Sequence, residues 1–127
     1  MFGYKKQVNL PYDKAVARAR EELAKEGFGV LTEIDVKATL KKKLNVDFDD
    51  YIILGACNPP LAYEALKVVK DVGLMMPCNV VVYMDKGQTY VEAVTPTVLM
   101  NLIQNDNLKP TAEQIETKLR KVVDSIN

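Results

Sequence analysis

Residues 51–60 read Tyr51-Ile52-Ile53-Leu54-Gly55-Ala56-Cys57-Asn58-Pro59-Pro60, and the change of pattern inside them decides the fold. Residues 51–56 are a strongly apolar strand. Asn58 is a natural N-cap, and Pro59 and Pro60 suit a first helical turn. Ala62, Ala65, Leu66 and Val69 then recur at helical spacing, which predicts an amphipathic helix ending near Gly73. A second apolar strand follows over residues 78–84, with Val80, Val81 and Val82 at its heart. Asp85-Lys86-Gly87-Gln88 is a turn, and residues 89–95 return as the other arm of a hairpin.

Upstream, residues 4–10 make a first strand. Pro11 falls where a helix can begin, and Asp13 adds negative charge to its first turn. Val16, Ala19 and Leu23 recur at helical spacing and Gly27 is a C-terminal stop, so a helix is predicted over 12–26. Phe28, Val30, Thr32, Ile34 and Val36 alternate with Gly29, Leu31, Glu33 and Asp35, the period of a half-buried strand. Leu40 and Leu44 then share a face of a short helix over 36–44, with lysines on the other. Downstream, Thr95-Pro96 breaks the hairpin. Val98, Leu99, Leu102 and Ile103 suggest a short helix, and Asn105-Asp106-Asn107 a loop. Thr111 with Gln114 has a capping-box pattern, and Ile115, Leu119, Val122 and Ile126 form a helical stripe. The order is β-α-β-α-β-α-β-β-α-α. Five strands covered by helices predict one two-layer α+β domain over residues 1–127.

The length of 127 residues suits one domain, and 48% hydrophobic with 27% charged residues is ordinary for a globular chain. Lys+Arg and Asp+Glu both number 17, so formal net charge is zero and a nucleic-acid binder with a strongly basic surface is disfavoured. There is no His, which removes His bases, His metal ligands and the Ser-His-Asp and Cys-His machineries. No phosphate loop or nucleophile elbow occurs, and Gly27-Phe28-Gly29 lacks the context of a dinucleotide site. No motif implies a cofactor. No apolar run is long enough for a membrane span, and no signal segment follows Lys5 and Lys6, so a cytoplasmic location is expected. Cys57 and Cys78 are then expected as free thiols.

Leu54-Gly55-Ala56-Cys57-Asn58-Pro59 with Ala62, Ala65 and Leu66 is a distinctive element. So is Gly73-Leu74-Met75-Met76-Pro77-Cys78-Asn79-Val80-Val81-Val82. With Gly27-Phe28-Gly29 and Glu33-Ile34-Asp35-Val36, these resemble the domain of unknown function 302 family from about Tyr4 to Pro96. The resemblance implies a curved, mainly antiparallel five-stranded sheet with helices packed on one face, often in a dimer. It implies no activity, since that family's biochemical function is not established. The family usually has Leu where this chain has Met75 and Met76, and the segment after Ile103 carries no part of the resemblance.

Strand direction decides what the cysteines can do. Parallel neighbours would put Cys57 and Cys78 at opposite ends of strands of ~6 residues, ~20 Å apart at ~3.3 Å per residue. Antiparallel neighbours, which the resemblance implies, put both at one end. Cys57 also precedes a helix N-terminus, whose dipole favours thiolate. Asn58 and Asn79 each follow a cysteine and could orient a bound group. The candidate site is therefore Cys57, Asn58, Cys78 and Asn79. It supports a non-catalytic small-ligand or partner-binding protein. Alternatives are thiol chemistry with Cys57 reactive and Cys78 resolving, as a sulfur carrier or redox sensor, and a Cu(I) site with Met75 and Met76. The competing reading is that free Cys simply fills core.

Glu33 and Asp35, two apart on one strand, share a face and could line a cleft with Lys37. Polar alternates on a strand are more often its solvent face. The tyrosines are scattered in sequence, with no basic–aromatic interleaving of a nucleic-acid platform. Leu31, Val81 and Tyr83 fall on alternates that predict an incompletely polar second sheet face, hence a homodimer.

Overall fold

The computed structural model describes residues 2–127. Five strands form one sheet: β1 (Gly3–Val8), β2 (Gly29–Asp35), β3 (Tyr51–Cys57), β4 (Cys78–Asp85) and β5 (Gln88–Val94). Their spatial order is β1-β5-β4-β3-β2, and every neighbouring pair is antiparallel. The helices are α1 (Tyr12–Lys25), α2 (Val36–Leu44), α3 (Pro59–Val68), α4 (Pro96–Met100) and α5 (Lys109–Asp124). The architecture is the expected α+β one.

Register sorts the sheet into two faces, because directly opposed residues point the same way. Leu54, Val80 and Ala93 form one cross-strand row, and Ile52, Val82 and Val91 the next. This face is the core. Ala15, Ala19 and Leu23 of α1 and Leu119, Val122 and Val123 of α5 pack into the same buried cluster. The helical stripe read from sequence is buried at all four positions, Ile115, Leu119, Val122 and Ile126.

Three local expectations change. The unbroken alternation from Phe28 to Val36 would place Val30 and Ile34 on one face of a half-buried strand. Instead β2 carries a bulge between Val30 and Thr32, and a bulge resets which face each residue takes. Val30 opposes Ala56 on the core face, whereas Ile34 opposes Ile53 on the other face. The strand lies at the sheet edge and is mostly exposed, Leu31 at 68% and Ile34 at 48%.

The helix after Asn58 stops at Val68 rather than near Gly73, because Val69 takes an extended conformation. A 3-10 turn over Lys70–Met75 fills the gap and buries Val72. The Thr111–Gln114 capping box does not form. Pro110, compatible with a first turn, lets α5 begin at Lys109, and Thr111 is buried inside it.

Candidate functional site

Cys57 ends β3 and Cys78 begins β4, and the antiparallel register sets Ala56 opposite Cys78. Both cysteines therefore lie at one end of the sheet. They line a single cavity of about 20 Å³. Both are free and half-buried. Burial pushes the Cys78 thiol up to about 11, with a smaller push from the neighbouring Cys57. At pH 7 such a thiol is ionised in roughly one molecule in ten thousand, so Cys78 is held as the poorly nucleophilic thiol.

The two asparagines part company. Asn58 lines the cavity but is committed structurally. Its side-chain oxygen accepts the Leu61 N–H at 3.4 Å as the α3 cap, and its amide nitrogen donates to the Glu26 carbonyl at 3.2 Å. It thereby ties the end of α1 to the start of α3. Asn79 opposes Gly55 on the other face of the sheet and is exposed. The structure brings Cys57, Cys78 and Asn58 to one place and leaves Asn79 out.

Glu33 and Asp35 do share a face, the helix-covered one, since they oppose Leu54 and Ile52. Each has a local partner. Glu33 pairs with Arg20 of α1 at 2.7 Å. Asp35 caps α2 by accepting the Ala38 N–H at 2.9 Å. Lys37 pairs instead with Asp50 at 3.4 Å. Burial first, then the charges of Asp35, Asp50 and Glu33, pushes the Tyr12 phenol up to about 12. Among the described residues no group of three or more Cys, Asp or Glu is placed to hold a metal ion.

Sequence reasoning missed two features. One is Met100, at the end of α4, which joins Met75 and Met76 in lining the cysteine cavity. No local pattern links it to them. The other is a row of rings on the face opposite the core. The scatter of tyrosines exists only along the chain. Tyr51 stacks on Tyr83 at 5.2 Å, Tyr83 on Tyr90 at 5.4 Å, and Phe48 extends the row to Tyr51 at 6.4 Å. Lys5 Nζ lies 5.9 Å and 5.6 Å from the Tyr83 and Tyr90 ring centres, a cation–π arrangement. A signal for this row was available. Lys86 and Gly87 both have positive φ, as a two-residue hairpin turn requires. Tyr83 and Tyr90 stand equally far from that turn and therefore pair.

Ile53 and Val81 oppose one another beside this row. A groove of about 520 Å³ crosses the same face, lined among others by Phe2, Tyr51, Asn79, Val81, Glu92 and Leu99. No helix of the described residues is long and apolar enough to cross a membrane.

A search of curated proteins finds no match. The crystal structure of an uncharacterized conserved protein DUF302 from Bacillus stearothermophilus is similar throughout. It is 34% identical, with a TM-score of 0.95 over 100% of this chain and 99% of that one. The family model described as "Domain of unknown function DUF302" matches residues 4–126, well past the Pro96 limit of the motif resemblance and through α5. The chain belongs to the DUF302 family.

Proposed function

We propose that this chain is a non-catalytic binding protein that works as a homodimer, with a second copy seated over the open face of the sheet. The observation that carries this reading is the arm formed by α2 and the segment after it. None of the nine residues of α2 is buried. A helix that short is marginal in water without packing. Leu44, Val46 and Phe48 on the arm are exposed, and Phe48 leads directly into the stacked ring row. Through Phe48 the arm's exposed apolar residues adjoin the ring row, a grouping of the kind that marks an interface.

A second copy suits this surface better than a charged partner. The chain has zero formal net charge, so two copies meet without long-range repulsion. Two of the arm's four lysines are matched locally, Lys37 with Asp50 and Lys41 with Asp47. Nucleic acid is disfavoured as well. The tyrosines occupy one another's faces, which a stacked base would need.

Light scattering at micromolar protein is expected to give twice the chain mass of 14.2 kDa. Tyr83→Lys is expected to give a folded monomer. A monomeric mass for the unaltered chain would overturn the reading.

Thiol chemistry is the second reading, favoured by one observation: Cys57 and Cys78 line one cavity. It requires fast alkylation of Cys57 in the native protein, followed by mass. Labelling of both cysteines only on unfolding would leave the binding role alone. The cavity is far smaller than the ~300–1,000 Å³ of organic-ligand sites, which favours an atom-sized occupant there.

A further inference from the structure

Five sulfur-bearing side chains line the cavity where β3 ends and β4 begins. Cys57 closes β3, Met75 and Met76 lead into β4, Cys78 opens it, and Met100 ends α4. They come from three separate stretches of chain, so only the folded protein assembles them. The rest of the lining is apolar except Asn58. Both ends of that amide are already engaged, with Leu61 and with Glu26. No carboxylate lines the cavity.

We propose that this cavity is a site for a soft monovalent cation, Cu(I), bound by cysteine sulfur with thioether support from Met75, Met76 and Met100. The inference is independent of the homodimer reading, which concerns the other face of the sheet. Three physical arguments select the ion. Thiolate and thioether donors favour Cu(I), whereas Mg²⁺ and Ca²⁺ need oxygen ligands that this lining lacks. Structural Zn²⁺ takes four ligands from Cys, His or carboxylate, and the lining offers two thiols. The volume of about 20 Å³ exceeds the ~10–15 Å³ that one water needs, so it admits one atom-sized occupant and little more.

Charge balance agrees. An unpaired charge is costly in apolar surroundings. On binding, one S–H bond breaks, an S–Cu bond forms and the proton leaves to solvent. Copper stays Cu(I) and no sulfur is oxidised. One thiolate with Cu(I) is neutral, and the thioethers add donors without adding charge. Cys57, Met75, Met76 and Cys78 are only half-buried, so the ion reaches them without global unfolding.

The test is an anaerobic titration with Cu(I) supplied as its bicinchoninate complex, read by the loss of that complex's colour. One equivalent per chain is expected to bind. Cys57→Ser with Cys78→Ser should lower affinity by more than about 100-fold, since even outer partners of metal sites are worth about 10- to 100-fold. Met75→Leu, Met76→Leu and Met100→Leu together should cost at least about 10-fold. Those swaps conserve volume, so the fold should persist, and circular dichroism checks it. The urea-unfolded chain should bind more weakly than the native one. Full affinity in the triple Leu variant would overturn the proposal. So would equal affinity in the unfolded chain, or displacement of Cu(I) by equimolar Zn²⁺.

Discussion

The two faces of this sheet are built from similar residues and differ in what covers them. On the core face Leu54, Ala56, Val80, Val82, Val91 and Ala93 are all fully buried. On the open face Ile53, Val81, Tyr51, Tyr83 and Tyr90 are only half-buried, and the three tyrosines stack on one another. A typical antiparallel sheet with one solvated face alternates apolar with polar residues. β3 and the middle of β4, from Val80 to Tyr83, do not. An apolar residue on each side of a central strand therefore marks a sheet with two faces to cover, of which this chain covers one.

The largest test of that difference is a matched pair. Leu54→Ala on the core face should destabilise by about 2–5 kcal/mol, the range for removing a buried Leu side chain. Val81→Ala, one strand over on the open face, should cost under about 1.5 kcal/mol in the isolated chain. Denaturant unfolding at low protein concentration measures both. Equal losses would mean that the open face is as well packed as the core. A loss for Val81→Ala that grows with protein concentration would place a second copy over it.

Gly55 sharpens the comparison, because it is the one buried residue of β3 aligned with the open face. A Cβ there would run into Thr32 and Pro77. Thr32 and Pro77 thus cap the cysteine end of the open face, and the exposed surface begins beyond them. Gly55→Ala should cost about 1–3 kcal/mol, the usual range for overpacking. A neutral effect in thermal unfolding would show that this end is loosely closed.

Most of the fold was legible because periodicity and turn chemistry agree in this chain. The Asn58 cap, the helix over 36–44 and the buried stripe of α5 follow from residue type and spacing alone. The β2 bulge was not legible. Its alternation reads the same with or without an extra residue, and only the partner strand reveals the slip. The cysteine site was half legible. Strand direction put Cys57 and Cys78 at the same end of the sheet, and it came from the family resemblance and not from the residues. Asn79 follows Cys78 in sequence but opposes Gly55 across the sheet, since neighbours on a strand point to opposite faces. Met100 reaches the cavity through tertiary packing that no local pattern encodes.

The layer over the core face supplies the next test. Asn58 joins α1 to α3 through one accepted and one donated hydrogen bond. Asn58→Ala should cost about 1 kcal/mol, a typical cap loss. Asn58→Asp keeps the cap oxygen but loses the donor to Glu26. If Asp restores full stability, the tie to α1 contributes nothing and α3 needs only its cap.

Glu22 gives the smallest effect, and it reads through pH. This residue of α1 is 7% exposed. It accepts from Lys25 at 2.8 Å and pairs with Arg18 at 2.9 Å, while Arg18 also donates to the Ser125 carbonyl beyond α5. The Lys25 hydrogen bond holds the Glu22 carboxyl below its ordinary value of 4.5, against the opposing effect of burial. A lowered carboxylate pKa stabilises the fold above the unfolded value, because the unfolded chain takes up the proton first as pH falls. That stabilisation is therefore complete above about pH 4.5 and fades as pH drops through the lower folded value. Glu22→Gln should flatten this part of the stability–pH curve and meet the unaltered chain at the acid end. Parallel curves would mean that Lys25 and Arg18 follow the carboxylate in solvent, and that α1 is held over the core face by its apolar stripe alone.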